Sequence, residues 1–372
     1  METVGASNMN AEFWKGKHVF ITGHTGFKGA WLTLWLQSLG AKVTGYALNP
    51  PSKTNLFEIA KIEHGIQSIH GDVRNAGLLQ TCLLESKADV VFHLAAQALV
   101  LQSYQDPVET YSTNIMGTVN LLEAVRHCDT VKSVVVVTSD KCYDNKEWHW
   151  GYRENDPMGG YDPYSSSKGC AELITESYRN SFFNREKYHE HGVAIASARA
   201  GNVIGGGDWA ENRLIPDMIK AFSNKEPVKL RNPASIRPWQ HVLEPLGAYL
   251  LLAERLYNEG KSYSEAWNFG PNEVDTKSTG WLVERLAACW KQSAAYLIQH
   301  EENAAHEALY LRLDCSKARS KLGWYPVWSV EDAIAKVVEW YQAYQRNEDM
   351  RACTLKQLQQ YQEHRSAIWT TA

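Results

Sequence analysis

The sequence predicts an α/β protein built on a doubly wound parallel sheet, followed by a smaller, mixed α/β C-terminal lobe. Three observations carry that expectation. The glycine-spaced loop Gly23-His-Thr-Gly26-Phe-Lys-Gly29 sits between a short apolar run and an apolar helical stretch. Strand-like and helix-like segments then alternate through the first half of the 372 residues, the pattern of a parallel sheet covered by helices on both faces. Beyond about Arg199 the elements shorten, and Gly205–Asp208, Pro216, Pro227, Pro233 and Pro238 interrupt the chain, as expected of a lobe made from loops and short elements.

Lys17–Thr22 (KHVFIT) is the first strand, and it runs straight into the glycine loop. The stretch AWLTLWLQSLG then forms a helix, with Gly40 as its C-cap. Lys42–Ala47 is a second strand; Ile66–His70 and Val90–Leu94 are a third and a fourth, with a helix near Ala76–Ser86 between them. Val131–Thr138 is continuously β-branched and apolar in its centre, as required of a strand buried on both faces. A helix begins near Pro163, Gly192–Ala198 is one more strand, and Val330–Tyr344 is an amphipathic helix followed by a surface helix to the end. Residues 12–203 therefore form a Rossmann domain, rejoined by a segment near 236–265. Residues 204–235 and 266–345 form the substrate lobe, and 346–372 a helical tail.

Composition narrows the class. Hydrophobic residues make up 44% and charged residues 22%, and the net charge is -4. No global basic field draws nucleic acid or a membrane surface. Seven cysteines are scattered without a CxxC pair, which argues against a disulfide framework and against zinc or another metal. The N-terminal METVGASNMNAEFW has no apolar core of signal-peptide length, and no apolar run approaches the length of a bilayer span. The expectation is a soluble, reduced, cytoplasmic protein. The 14 tryptophans serve core packing first, with stacking on a sugar or base as the alternative.

The glycine loop is the first candidate site. A sharp turn out of the strand, close approach of backbone to a pyrophosphate, and tight packing of a helix on the sheet each disfavour a Cβ. Gly23, His24, Gly26, Phe27, Lys28 and Gly29 are the cofactor candidates here. Asp72 and Val73 follow the third strand, where Asp72 either meets the adenine amine or caps a helix. Leu94, Ala95 and Ala96 end the fourth strand with small residues a cofactor can pass. An acid at the end of the second strand would grip a ribose 2′-hydroxyl, but YALNPPSKTN has none, and Lys28 adds a cation. NAD is the expected cofactor, with NADP left open.

Tyr164-Ser-Ser-Ser-Lys168 puts a phenol and an ammonium on one face of a helix. A nearby ammonium lowers the phenol pKa, so Tyr164 can take a hydroxyl proton while the same carbon is oxidised. Thr138-Ser139-Asp140-Lys141 closes the β-branched strand, and a doubly wound sheet carries its chemistry at such strand ends. Ser139 either orients the reacting oxygen or is a turn residue.

Taken together, TGHTGFKG, HLAAQ, Asn114 in NIMGT, SDK, YSSSK and RAGNVIGGGDW resemble the extended short-chain dehydrogenase/reductase family in order and spacing, from about Lys17 to Trp340. GHTGFKGAWL, TSDKCYDN, AGNVIGGGDW and RPWQHVLEP resemble its nucleotide-sugar 4,6-dehydratase branch, in the versions of members that act on CDP-glucose. The resemblance implies a redox-neutral cycle: oxidation at C4, loss of water across C5–C6, reduction at C6, with NAD regenerated. It assigns Tyr164 and Lys168 to the oxidation, Ser139 to orientation, Asp140 to protonating the departing C6 hydroxyl, and Lys141 to taking the C5 proton. Related dTDP-glucose dehydratases carry Asp-Glu where this chain has Asp140-Lys141, and an ionised Asp–Lys pair has the wrong protonation for both tasks. Burial and closure over substrate would have to leave a neutral acid and a neutral amine.

For the substrate, the resemblance points to Gln97, Asn114 and Asn202. Arg213 and Arg237 are candidates for its pyrophosphate, and Glu307 and Tyr310 for the nucleotide pocket. Asn114 alternatively caps a helix or joins the Tyr164 helix. A homodimer or higher homo-oligomer is implied, through the helices bearing Tyr164 and Asn114. The competing readings are an epimerase or reductase on the same fold and a non-catalytic dinucleotide-binding protein.

Overall fold

In the computed structural model, residues 10–230, 232–291, 296–298 and 308–370 are described. The strands are β1 (His18–Thr22), β2 (Lys42–Ala47), β3 (Gln67–His70), β4 (Val90–His93), β5 (Ser133–Val137) and β6 (Ala194–Ala200), followed by β7 (Val203–Ile204), β8 (Val228–Leu230), β9 (Ile236–Pro238), β10 (Gln240–His241), β11 (Ala266–Phe269), β12 (Thr276–Ser278) and β13 (Tyr296–Ile298). Seven of them form one sheet in the order β11-β6-β5-β4-β1-β2-β3. Every neighbouring pair in it is parallel. The strand order reverses between β1 and β4, so a cleft opens at the carboxyl ends of those strands.

Sequence explains these elements directly. All five residues of β5 and all seven of β6 are buried, as parallel strands covered on both faces must be. The Phe27–Ser38 helix is apolar all round, and Gly29 through Leu36 are buried. It lies against β1 and β2, the Leu243–Glu259 helix and the C-terminal Met350–Thr370 helix, which is why it needs no polar face. Most tryptophans do pack the core: Trp14, Trp31, Trp35, Trp267, Trp324 and Trp340 are fully buried. Outside the main sheet lie three short two-stranded ribbons, β7 with β10, β8 with β13, and β9 with β12.

The structure differs from expectation in three places. Residues 266–269 were expected in the substrate lobe; instead β11 completes the main sheet beside β6, pairing Ala266 with Ser197 through Phe269 with Ala200. The β6 strand starts at Ala194, because Gly192 takes a left-handed φ of 67° and caps the short helix before it. The C-terminal helix is more than a surface cover. Leu358, Tyr361 and Arg365 are buried, and the Tyr361 hydroxyl donates to Glu244 Oε2 at 2.9 Å. Its polar composition hides this, because the buried positions are largely hydrogen-bonding residues rather than an apolar stripe.

Candidate active site

The glycine loop leaves β1 with Gly23 at φ 79°. A Cβ there would lie 2.7 Å from the Ala95 nitrogen, and one on Gly29 would lie 2.0 Å from the Gly23 carbonyl oxygen. Only backbone fits, so strand and helix close on one another around a concave cradle. The cradle opens into a cavity of about 1200 Å³ lined by Gly23, Gly26, Phe27, Lys28, Gly29, Asp72, Val73, Leu94, Ala95, Ala96, Gln97, Ser139, Asp140, Lys141, Tyr164, Lys168, Asn202, Arg213 and Arg237. It exceeds the usual range for one small ligand and extends from Leu48 and Asp72 to Lys229 and Leu230 in the smaller lobe. Its shape and glycine cradle fit a dinucleotide at one end and a second nucleotide-sized ligand at the other.

Several expected residues sit elsewhere. His24 does not line this cavity; it is buried under the loop, its Nε2 hydrogen-bonded to Ser68 Oγ at 2.8 Å, and burial pushes its pKa down to about 4. Its neighbour Thr25, which spacing alone did not single out, lines the cavity and donates to the Leu48 carbonyl. Asp72 caps no helix: its carboxylate takes the Arg74 guanidinium and backbone N–H, while Asn75 caps the following helix. Asn114 is buried outside the cavity, inside a π-helical turn, Ser112–Met116. Its Oδ1 accepts from the Gln97 N–H, and its Nδ2 donates to the Gln97 carbonyl and to Ser167 Oγ. It braces the site through a side chain of the active-site helix instead of facing substrate. Tyr310 lines neither this cavity nor the adjoining one that shares Lys141 and Arg213; its ring packs on His149 and Arg312. Glu307 lies outside the described residues.

The chemical centre is assembled by the Pro163–Ser181 helix and the end of β5. Pro163 occupies the first turn, and the Asp162 side chain caps it by accepting from the Ser165 N–H. That fixes Tyr164 and Lys168, both buried, at the cavity wall. Burial pushes the Tyr164 phenol up to about 12, opposed by a hydrogen bond with Ser139. The expected lowering of this phenol is therefore absent: desolvation outweighs the Ser139 hydrogen bond and the Arg213 charge. Burial also pushes Lys168 down to about 8, with Glu172 opposing.

Ser139 closes a turn. Its Oγ accepts from the Lys141 N–H, capping the turn, and donates to Asp140 Oδ1 at 3.0 Å. Asp140 is buried, and burial raises its pKa against the pull of Lys141. Its Oδ2 has no hydrogen-bond partner. A carboxyl in that state is suited to hold a proton. Lys141 is half-buried where the two cavities meet.

Lys28 reaches the same centre. Burial, then Arg213 and Lys168, push it down to about 7, and Asp140 opposes. It therefore does not favour a 2′-phosphate, whose place would be at the carboxyl end of β2, among Ala47, Leu48 and Asn49. Arg213 forms a 3.0 Å ion pair with Asp208, and buried Arg237 donates to the Ile236 carbonyl.

Comparison with known proteins agrees with this geometry. The GDP-mannose 4,6 dehydratase family profile matches residues 20–337. The CDP-glucose 4,6-dehydratase of Salmonella typhimurium is 54% identical over 353 residues, 95% of this chain and 98% of that protein. Among solved structures, an epimerase from Methanothermobacter thermautotrophicus superposes with a TM-score of 0.77 at 21% identity, covering 92% of this chain and 96% of its own. The dTDP-glucose 4,6-dehydratase of Bacillus anthracis, solved in complex with NAD, gives 0.72 at 22% identity, over 90% of this chain and 100% of that one. The fold is shared with these structures, and the chain belongs to the GDP-mannose 4,6 dehydratase family.

Proposed function

We propose that this chain is a nucleotide-sugar 4,6-dehydratase that converts CDP-glucose to CDP-4-keto-6-deoxyglucose, with NAD on the glycine cradle. The observation that carries this reading is that Tyr164, Lys168, Ser139, Asp140 and Lys141 share one cavity with the cradle. An oxidation pair and an elimination pair stand side by side, which a simple reductase does not need. The Salmonella relative supports the choice of CDP-glucose.

NAD, when bound, supplies the oxidant for C4 and the reductant for C6, with no net change in cofactor. Gly23, Gly26, Phe27, Lys28, Gly29, Asp72, Val73, Leu94, Ala95 and Ala96 would hold it. Tyr164 takes the proton of the C4 hydroxyl, with the Lys168 charge one helical turn away favouring phenolate. The resulting ketone acidifies the C5 proton, which Lys141 removes. Asp140, kept protonated by its dry surroundings, gives its proton to the departing C6 oxygen. Gln97, Asn202, Arg213 and Arg237 orient the sugar nucleotide from the cavity wall.

Residues 12–203 together with 236–269 act as the dinucleotide-binding unit in this scheme, and the remaining segments of the lobe close over the substrate. Exposed Val108, Met116, Leu173 and Phe182 lie on or beside the Pro107–Tyr111, Ser112–Met116 and Pro163–Ser181 helices. They support a homodimer through that face. The described helices include none long and apolar enough to cross a membrane.

The test is incubation with CDP-, dTDP-, UDP- and GDP-glucose, scoring 4-keto-6-deoxysugar by its ultraviolet absorbance in alkali. CDP-glucose should give the product, and a label at C4 should reappear at C6. Formation of the C4 epimer with no keto-deoxysugar would overturn the reading.

A further inference from the structure

The stripe that carries Tyr164 and Lys168 continues to Glu172, one more helical turn along the same face of the Pro163–Ser181 helix. Glu172 is a buried carboxylate outside the chemistry described so far. Its Oε1 accepts from the Thr138 hydroxyl, and its Oε2 accepts from Ser197 Oγ at 2.6 Å and from the Arg199 guanidinium at 2.8 Å. Arg199, itself buried in β6, turns its other nitrogen to the Tyr143 hydroxyl at 2.6 Å and to the Glu154 carbonyl at 2.9 Å. The Tyr143 hydroxyl then donates to Asn268 Oδ1 on β11 at 2.7 Å.

Thr138 and Tyr143 are the residues on either side of the segment Ser139-Asp140-Lys141-Cys142. One member of the ion pair holds the residue before that segment, and the other holds the residue after it. We propose that the Glu172–Arg199 pair is a clamp on the Ser139–Cys142 turn, and that both are positioning residues for the elimination step. This rests on the dehydratase reading, which gives Asp140 and Lys141 their tasks.

Physical reasoning favours a geometric role over a stabilising one. A buried ion pair is seldom more stable than apolar residues of the same volume, because both charges must leave water. Its worth lies in directional contacts, and here those contacts converge on the ends of one short turn from two strands and one helix. Asp140 and Lys141 are adjacent in sequence and must serve C6 and C5 of one sugar, so a small rotation of the turn misplaces both. Tyr164 and Lys168 sit on the helix, which has its own cap at Asp162; the turn reaches Tyr164 through the Ser139 hydrogen bond, whereas Asp140 and Lys141 are carried wholly by it.

The test uses Thr138→Val and Tyr143→Phe, each of which removes one hydroxyl and leaves Glu172 facing Arg199. In single turnovers with CDP-glucose, the unaltered enzyme should show little reduced nicotinamide by its near-ultraviolet absorbance. In the variants, elimination should slow on the order of 10- to 100-fold, the penalty of roughly ångström-scale misplacement. Oxidation should continue, so reduced nicotinamide should build up with KM little changed. A crystal structure of the double variant should show Asp140 displaced.

Equal loss of oxidation and elimination, or no change in either, would overturn the clamp, since general loosening slows both steps. An unmoved Asp140 in the double variant would also overturn it. If the double variant fails to fold, Tyr143→Phe alone is read by the same two measurements. If the unaltered protein makes no keto-deoxysugar from any nucleotide glucose, the dehydratase reading falls, while the crystal comparison still decides whether the pair holds the turn.

Discussion

 At Tyr164, burial and the Ser139 hydrogen bond pull in opposite directions. Desolvation keeps the phenol protonated, near 12, so the fraction able to take a proton rises with pH. Burial lowers Lys168 to about 8 against the opposing pull of Glu172 and Cys142, so its charge is lost above that pH. The rate of C4 oxidation should therefore climb between about pH 6 and 8 and level off above, as the phenolate fraction grows and the lysine charge fades. A stopped-flow profile that is flat over that range would contradict the assignment. Lys141→Met should leave this oxidation intact and block elimination, so reduced nicotinamide accumulates and no keto-deoxysugar forms; continued turnover without that build-up would remove Lys141 from the mechanism. Tyr164, Lys168, Asp140 and the glycines were legible in the sequence because their spacing alone puts them on one helix face, one strand end and one loop. His24, Asn114 and Tyr310 were not, because only the tertiary packing decides which way each side chain turns.

At the scale of elements, the loop between β1 and its helix has no slack. Gly29→Ala would set a methyl 2.0 Å from the Gly23 carbonyl oxygen, so the backbone must shift. NAD affinity measured by titration calorimetry should fall at least about tenfold, the equivalent of roughly 1.4 kcal/mol; unchanged affinity would mean that the cradle is not the cofactor site. Asn114→Ala removes two part-buried hydrogen bonds to the Gln97 backbone and one buried bond to Ser167 of the active-site helix. It should cost about 1–3 kcal/mol in chemical unfolding, chiefly by stranding the polar groups it leaves behind. Most strands and helices of the first half were readable from β-branched runs and spacing, and Ala76–Ser86 and Lys42–Ala47 match residue for residue. The π-helical turn at Ser112–Met116 carries no such signature, since one extra residue in a helix leaves its composition unchanged.

At the scale of the molecule, the C-terminal helix is held by polar contacts. Tyr361 meets Glu244, His364 accepts from the Trp328 ring N–H, and Tyr361 packs edge-on against Trp35 and Trp328. Removing residues 350–372 should lower the thermal midpoint by several degrees, about 2–4 °C for each kcal/mol lost in larger domains; an unchanged midpoint would show that the helix is only a cover. The doubly wound class was legible from the alternation of strands and helices, whereas the place of β11 was not, because AWNF resembles any short apolar run and only pairing reveals its sheet. That placement bears on synthesis. The wholly buried β6 has no partner on its outer side until residues 266–269 leave the ribosome, at roughly 5–20 residues per second. During those seconds the nascent chain presents a bare, apolar strand edge that invites aggregation, so a fragment ending near residue 203 should be recovered in inclusion bodies and one ending beyond β11 should be more soluble.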